Sequence, residues 1–481
     1  MSAELERLAA TCLFPGFAGS GPPDWVRRWL AAGLGGVVLF GRNVVDAQQV
    51  RALTEALRAE REDVLIAIDE EGGDVTRLEV AAGSSYPGNY ALGAVDDIEL
   101  TERVATSMGS DLAAAGINLD LAPVADVNRN PRNPVIGIRS FGSEAEVVAR
   151  HVRAFVTGLQ GVGVAACAKH FPGHGDTEQD SHLELATVDA VTQEALSPFR
   201  AAIGAGVRSI MTAHVRVRSL GEEPATLSRA ILTGLLRDEL AFGGLVMTDA
   251  LEMRAISATV GVEEGAVRAL AAGADALCVG HDLDQDVVRG IVGSVVEAVE
   301  AGRLAEERLR QAASRVSELA GWGKPSPSDN LSRGVGLEAA RRALRAEGDV
   351  RLGRAPVVVE LRPEASMAAG EARHGFAELL RSLDPATASV SLERARSLPD
   401  LGARQLVLVL RDAHRHAWQR EAAARLLASA PDAVVVEIGV PGWRPKDGAG
   451  YLITHGAGRV NLQAAVERLA CSPAGRDREL K

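Results

Sequence analysis

Short apolar runs of β-forming residues, each followed by a longer segment of helical periodicity, recur eight times along the first two thirds of the chain. They fall at 11–16, 36–40, 64–69, 117–122, 163–169, 207–213, 244–248 and 274–280. Several, VLIAID and GVAACAK among them, are apolar on both faces, as expected of a parallel sheet covered by helices on each side. Residues 46–60, 144–160 and 228–240 read as helices between them. Eight β-α units predict an α/β chain built on a (β/α)8 TIM-type barrel. The competing architecture, an open doubly wound sheet, wants a glycine-rich phosphate loop after its first strand. Only the weak GLGG at 33–36 is present, and it precedes a strand.

The texture changes after residue 320. GWGKPSPSDNLSRG, 321–334, concentrates Gly, Pro, Ser, Asp and Asn and reads as a linker, and beyond it β-type runs at 356–361, 405–410 and 433–438 alternate with helical segments. The expected division is a barrel over 1–325, a linker over 326–350 and a smaller α/β sandwich domain over 351–481. With 47% hydrophobic and 24% charged residues, the chain is an ordinary globular protein rather than a disordered, collagen-like or disulfide-rich one. Its 52 Lys and Arg against 64 Asp and Glu leave a net charge of −12 with no basic block, so nucleic acid is not an expected partner. Cys12, Cys167, Cys278 and Cys471 form no CxxC pair, and three of them sit in apolar stretches, which predicts reduced, buried thiols. Residues 1–17 lack the basic and apolar regions of a signal peptide, and no run approaches the ~18 apolar residues of a membrane span. A cytoplasmic, membrane-free protein is expected; its oligomeric state is left open.

In β/α architectures the chemistry gathers at the carboxyl ends of strands. There this chain carries Asp69-Glu70-Glu71-Gly72-Gly73 with Arg77 beyond, then Asp120, Asp126 and Arg139, then KHFPGHGDTEQDSH at 169–182, then His214, and finally Asp249. Pro172, Gly173 and Gly175 forbid a regular helix, so His170 and His174 are not the i, i+4 pair of a helical zinc site. Asp180 and His182 stand two apart, close enough for the carboxylate to fix the imidazole's tautomer and raise its proton affinity. That suits an acid/base group near neutrality, and a plain surface contact fits the same spacing. Asp249 with Glu252 fits a capping-box-like helix start, which spacing alone favours over a nucleophile at the barrel mouth. Asp69 can cap a helix, and Arg77 and Arg139 can be solvated charges. Together, an Asp, two Arg, a Lys and a His converging on one mouth make a pocket for a polyol, because carboxylates and cations grip hydroxyls from opposite sides. A proton donor and an attacking carboxylate then complete a glycoside hydrolase.

The motifs DEEGG with its later Arg, NPVIGIRSFG at 133–142, KHFPGHGDT followed by DSH, and VMTDALEM resemble glycoside hydrolase family 3 enzymes of the β-N-acetylglucosaminidase type. The ordered matches run from about residue 60 to 255, and the β-α layout extends the likeness over the first domain. The resemblance implies retaining hydrolysis of terminal β-linked N-acetylglucosamine from cell-wall-derived or chitin-type oligosaccharides. It implies Asp249 as nucleophile and Asp180 with His182 as acid/base dyad. Asp69, Arg77, Arg139, Lys169 and His170 become sugar-binding residues, with no metal and no cofactor. Two departures are mild: Glu70 stands where Gln is commoner, and Ala250 where many members carry a second Asp. Gly173 and Gly175 are the expected hinges of a lid that closes over bound sugar. The alternatives are a phosphorylase or β-glucosidase of the same family, a metal-dependent hydrolase using His170, His174 and Asp176, and a sugar-binding protein without turnover. AVVVEIGVPGW and YLITHGAGRVNLQAAVERL resemble the second domain of longer members, to which no catalytic residue is assigned.

Overall fold

A computed structural model describes residues 2–180, 184–280, 284–327, 334–353, 355–363, 375–393, 401–402, 404–445 and 449–470. The first ten strands are β1 (Leu13–Pro15), β2 (Gly36–Leu39), β3 (Leu65–Ile68), β4 (Leu119–Asp120), β5 (Ala165–Phe171), β6 (Ala186–Val188), β7 (Ser209–Thr212), β8 (Val215–Val217), β9 (Leu245–Met247) and β10 (Leu277–Val279). Each of the eight predicted runs overlaps one of them, β5 extending two residues past its run, and β6 and β8 add a small parallel pair after β5 and β7. A six-stranded parallel sheet runs in the order β2-β3-β4-β5-β7-β9, and β1 pairs in parallel with β10. A single parallel bridge, Met247 to Ala276, joins the two, and β1 lies beside β2. The result is a mixed α/β fold with a curled parallel sheet.

Residues on both faces of the strands are buried, which is why the runs read as continuously apolar. Along β3, Leu65 and Ala67 turn inward to meet Phe14, Val38, Leu119, Cys167, Met211 and Met247. Ile66 and Ile68 turn outward against the surrounding helices. Cys12, Cys167 and Cys278 are buried free thiols, as their apolar settings predict, and Cys471 lies outside the described residues. At the amino-terminal end of the sheet the buried Asp275 pairs with Arg237, Arg308 and Arg315 and accepts the Val246 amide, closing that end with a satisfied charge cluster.

A second six-stranded sheet follows, from β11 (Arg345–Glu347), β12 (Val357–Leu361), β13 (Ala388–Leu392), β14 (Leu406–Leu410), β15 (Val434–Glu437) and β16 (Gly450–Ile453), in the order β11-β16-β15-β14-β12-β13. All its pairs are parallel except β11 with β16. The stretch read as a linker holds regular structure in its second half. There the helix Val335–Ala343 buries Val335, Ala339, Ala340 and Ala343, packs on the helices Asn89–Val95 and Ile98–Ala114, and leads into β11. The Pro/Ser/Gly cluster ends at Gly334, and the helical spacing that begins there was masked by its neighbours. Among the described residues no helix is long and apolar enough to cross a membrane.

Candidate active site

A cavity of about 400 Å³ opens at the carboxyl ends of the curled sheet, within the ~300–1,000 Å³ range of small-molecule sites. Six of the eight residues expected at the site line it: Asp69, Arg77, Arg139, Lys169, His170 and Asp249. Asp69 follows β3 directly, and its Oδ1 accepts the Lys169 ammonium at 2.7 Å, so it caps no helix. On β5 the side chains alternate up to Lys169, which continues the inward series of Ala165 and Cys167. The register with β7 shifts between Ala168 and Phe171, and this irregularity brings His170 to the same cavity as its neighbour.

Glu71 ties the cationic residues together. Its Oε1 accepts Lys169 Nζ and Arg139 Nη2, each at 2.7 Å, and its Oε2 accepts Arg139 Nε at 2.9 Å. Burial by itself would raise the Glu71 carboxyl, but Arg139 and Lys169 outweigh it and hold the group far below the usual carboxylate range. Burial would likewise discharge Lys169, and the facing Asp69 and Glu71 keep it protonated, with its pKa raised. Arg77 stands 3.9 Å from Asp69 Oδ2. Its backbone is set by Glu70, whose Oε2 accepts the amides of Arg77 and Leu78 at 2.9 and 3.0 Å. Burial lifts the Glu70 carboxyl to about 7 and pushes Asp120, whose Oδ1 accepts the Glu70 amide, well above its ordinary value.

The buried Asp126, beyond β4, orients the histidines. It accepts His170 Nδ1 at 2.7 Å and the His174 amide at 2.6 Å. Asp126, its pKa lowered against burial chiefly by His170, can only accept, so Nδ1 of His170 is the donor of that bond, and Nε2 lies 3.4 Å from Arg139 Nη2. His174 also lines the cavity, and burial drives its pKa down to about 4. Asp176 pairs with Arg129 instead of joining His170 and His174, and among the described residues no group of three His, Cys, Asp or Glu side chains is arranged for a metal ion.

The capping reading of Asp249 fails. Residues 250–252 turn without forming a helix, the next helix begins only at Arg254, and its N-cap is Met253 with no side-chain bond. Asp249 accepts the Ala250 amide at 2.8 Å, Glu252 accepts the Gly280 amide at 2.7 Å, and Thr248 Oγ1 accepts the Cys278 amide at 3.0 Å. The buried His214 donates from Nε2 to the Ala250 carbonyl, 2.9 Å away.

Asp180 is described but is not among the cavity's lining residues, and His182 lies outside the described residues. The start of their loop is pinned. Asn133 Nδ2 donates to the His174 carbonyl at 2.8 Å, and Thr177, Asp176 and Glu178 bond to His174, Arg129 and Arg132 respectively. Gly175 is a contact glycine here, since a Cβ would sit 1.9 Å from the Val127 carbonyl oxygen. The roles of Glu71 and Asp126 were not assigned from sequence. The signal available was charge parity: three cations drawn to one mouth need more anions than Asp69.

Residues 23–319 match the glycosyl hydrolase family 3 N-terminal domain. The chain is 36% identical over 329 residues to beta-hexosaminidase A of Pseudoalteromonas piscicida, covering 62% of this chain and 55% of that protein, so it spans about half of that relative's length. It is 37% identical over 281 residues to a beta-hexosaminidase of Stenotrophomonas maltophilia, covering 56% of this chain and 82% of that protein. The structure of a glycoside hydrolase family 3 beta-N-acetylglucosaminidase from a Paenibacillus species superposes with a TM-score of 0.85 at 32% identity, covering 97% of this chain and 96% of that one. With more than half its length matched to the family and the cavity residues lying inside that match, the chain belongs to glycosyl hydrolase family 3.

Proposed function

We propose that the protein is a retaining, exo-acting β-N-acetylglucosaminidase that removes terminal β-linked N-acetylglucosamine from cell-wall-derived or chitin-type oligosaccharides. The observation that carries this reading is the meeting of Asp249 with Asp69, Arg77, Arg139, Lys169 and His170 around one cavity. Residues 1–325 are read as a catalytic (β/α)8 barrel and 351–481 as a second α/β domain, joined through 326–350, in a cytoplasmic enzyme that needs no metal or cofactor.

In the first step the Asp249 carboxylate attacks the anomeric carbon. The bond from C1 to the leaving oxygen breaks, and that oxygen takes its proton from His182, whose imidazolium Asp180 supports. In the second step neutral His182 takes a proton from water, the water oxygen attacks C1, and the ester to Asp249 breaks with net retention. Lys169 and Arg139, kept charged by Glu71, donate to ring hydroxyls, and Asp69 accepts from them.

The test compares an aryl β-N-acetylglucosaminide with the matching β-glucoside, with and without phosphate, while NMR follows the first-formed anomer. Preferred hydrolysis of the acetamido sugar, independent of phosphate and giving the β-anomer first, is expected. A glucoside preference, a phosphate requirement or the α-anomer first overturns the reading. For the His182→Ala variant, kcat/KM, which reports the first step alone, is expected to drop about 10²-fold or more on a substrate with a poor leaving group. The drop should be smaller with an acidic phenol, which leaves without protonation; equal losses on both substrates would remove His182 from the acid role.

A further inference from the structure

The parallel strands of the C-terminal sheet aim their carboxyl ends at the loops that carry the sugar-binding residues. Arg411, immediately after β14, pairs with Asp74 through Nη2 and Oδ2 at 2.5 Å. The backbone amide of Ala457, beyond β16, donates to the other Asp74 oxygen at 2.9 Å. Nearby, Arg459 donates to the Gly83 carbonyl at 3.2 Å, and Gly458 lies so close to the curled sheet's loop that a Cβ would stand 2.8 Å from Gly73 Cα. Also after β14, His414 donates from Nε2 to the Pro131 carbonyl at 2.8 Å.

Asp74 is the tip of a tight turn. The Glu71 amide donates to the Val75 carbonyl at 3.0 Å and the Val75 amide to the Gly72 carbonyl at 3.2 Å, so the two arms move as one. Glu71 and Val75 on those arms, and Arg77 just past them, line the cavity. The Asp74 side chain is 7% exposed, and both of its oxygens are bound by the C-terminal region.

We propose that the C-terminal sheet is part of the sugar-binding apparatus: Arg411, acting through Asp74, is a positioning residue that fixes the 71–77 turn and with it Glu71 and Arg77. Resting on the reading of the cavity as an N-acetylglucosamine site, this gives the second sheet a role without any catalytic group of its own. A remote contact of the connecting helix Val335–Ala343, Arg342 with Asp97 at 2.7 Å, supplies a control for an ion pair that does not reach the 71–77 turn.

The experiment uses the full chain with Arg411→Ala, Asp74→Asn, the double variant, Arg411→Lys and, as control, Arg342→Ala. Readouts are KM and kcat on an aryl β-N-acetylglucosaminide, calorimetric binding of free N-acetylglucosamine, and Tm. Arg411→Ala and Asp74→Asn are each expected to weaken KM and sugar binding about tenfold, with kcat within about threefold, since loss of positioning acts through sub-ångström displacement. The double variant should match the singles, Arg411→Lys should recover most of the loss, and Arg342→Ala should leave KM as it is. Unchanged KM and sugar binding in Arg411→Ala, with or without a lower Tm, or fully additive losses in the double variant, would overturn the proposal. If Arg411→Ala does not fold, Asp74→Asn and Arg411→Lys carry the same comparison. A wild-type chain that binds the sugar but does not turn over the aryl substrate overturns the activity, whereas an active wild type with indifferent variants overturns only the positioning role.

Discussion

Asp249→Ala is expected to lower kcat on aryl β-N-acetylglucosaminides by at least about 10³-fold, the scale on which loss of a covalent nucleophile disables an enzyme whose binding groups remain. The geometry around it separates chemistry from folding. The flanking segment is held by Thr248 to the Cys278 amide, Glu252 to the Gly280 amide and His214 to the Ala250 carbonyl, none of which passes through the Asp249 side chain. Truncation gives up the bond from the Ala250 amide at a half-buried position, a loss on the order of 1 kcal/mol, so the chain should still fold. Thermal unfolding should therefore remain cooperative and close to that of the parent while turnover is lost. The space freed by truncation also invites a small anion: azide should restore turnover and yield the α-glycosyl azide, because it attacks C1 from the face Asp249 occupied. Activity within tenfold of the parent, or azide that changes neither rate nor product, would remove Asp249 from the nucleophile's place.

The legible part of this chain was its periodicity. Runs such as VLIAID and GVAACAK announce themselves because burial on both faces makes the strand positions apolar, and each of the eight coincides with a strand, although β5 runs two residues past its predicted end to Phe171. Edge elements gave weaker signals: β11 is exposed along its length and β13 alternates between exposed and half-buried positions, so neither shows a core pattern. Asp249 was open to a capping role because spacing along the chain does not tell a helix start from a bare turn. Only the arrangement in space shows that its neighbours bond to the end of β10. Glu71 was hidden differently. In DEEGG three carboxylates compete for notice, and the chain alone does not reveal that Glu70 turns back to bond the Arg77 and Leu78 amides while Glu71 turns to Arg139 and Lys169. The contacts from Arg411 and Ala457 to Asp74 join positions hundreds of residues apart and leave no local trace.

Glu71→Gln should be the most damaging substitution for the charged cluster of Asp69, Arg139 and Lys169, although it keeps the shape of the side chain. Lys169 and Arg139 both bond to Oε1, and Arg139 adds a second bond to Oε2. A glutamine offers one oxygen and puts an amide NH2 against a cation on the other side, leaving a buried donor facing a donor. Asp69 and Glu71 balance Lys169 and Arg139 in charge; removing one anion leaves a net positive charge in a cluster where Lys169 and Glu71 are each 2% exposed. Breaking a buried pair in this way costs about 3–5 kcal/mol, a large share of the ~5–15 kcal/mol that typically separates folded from unfolded chains. In the folded fraction kcat/KM should fall about 10²-fold, because neither cation keeps its direction toward the sugar. The effect has a definite pH signature. The Glu71 carboxyl is held far below its ordinary range in the folded protein, so below its usual value of about 4.3 the unfolded chain binds the proton and the folded one does not. Its contribution is thus complete at neutral pH and shrinks as the pH falls through and below that value. Urea unfolding at pH 7 should show the full gap between parent and variant, and at pH 3 a gap narrower by about 1–2 kcal/mol. A variant as stable as the parent at pH 7, or a gap that does not narrow in acid, would mean that the Glu71 charge does not hold this cluster together.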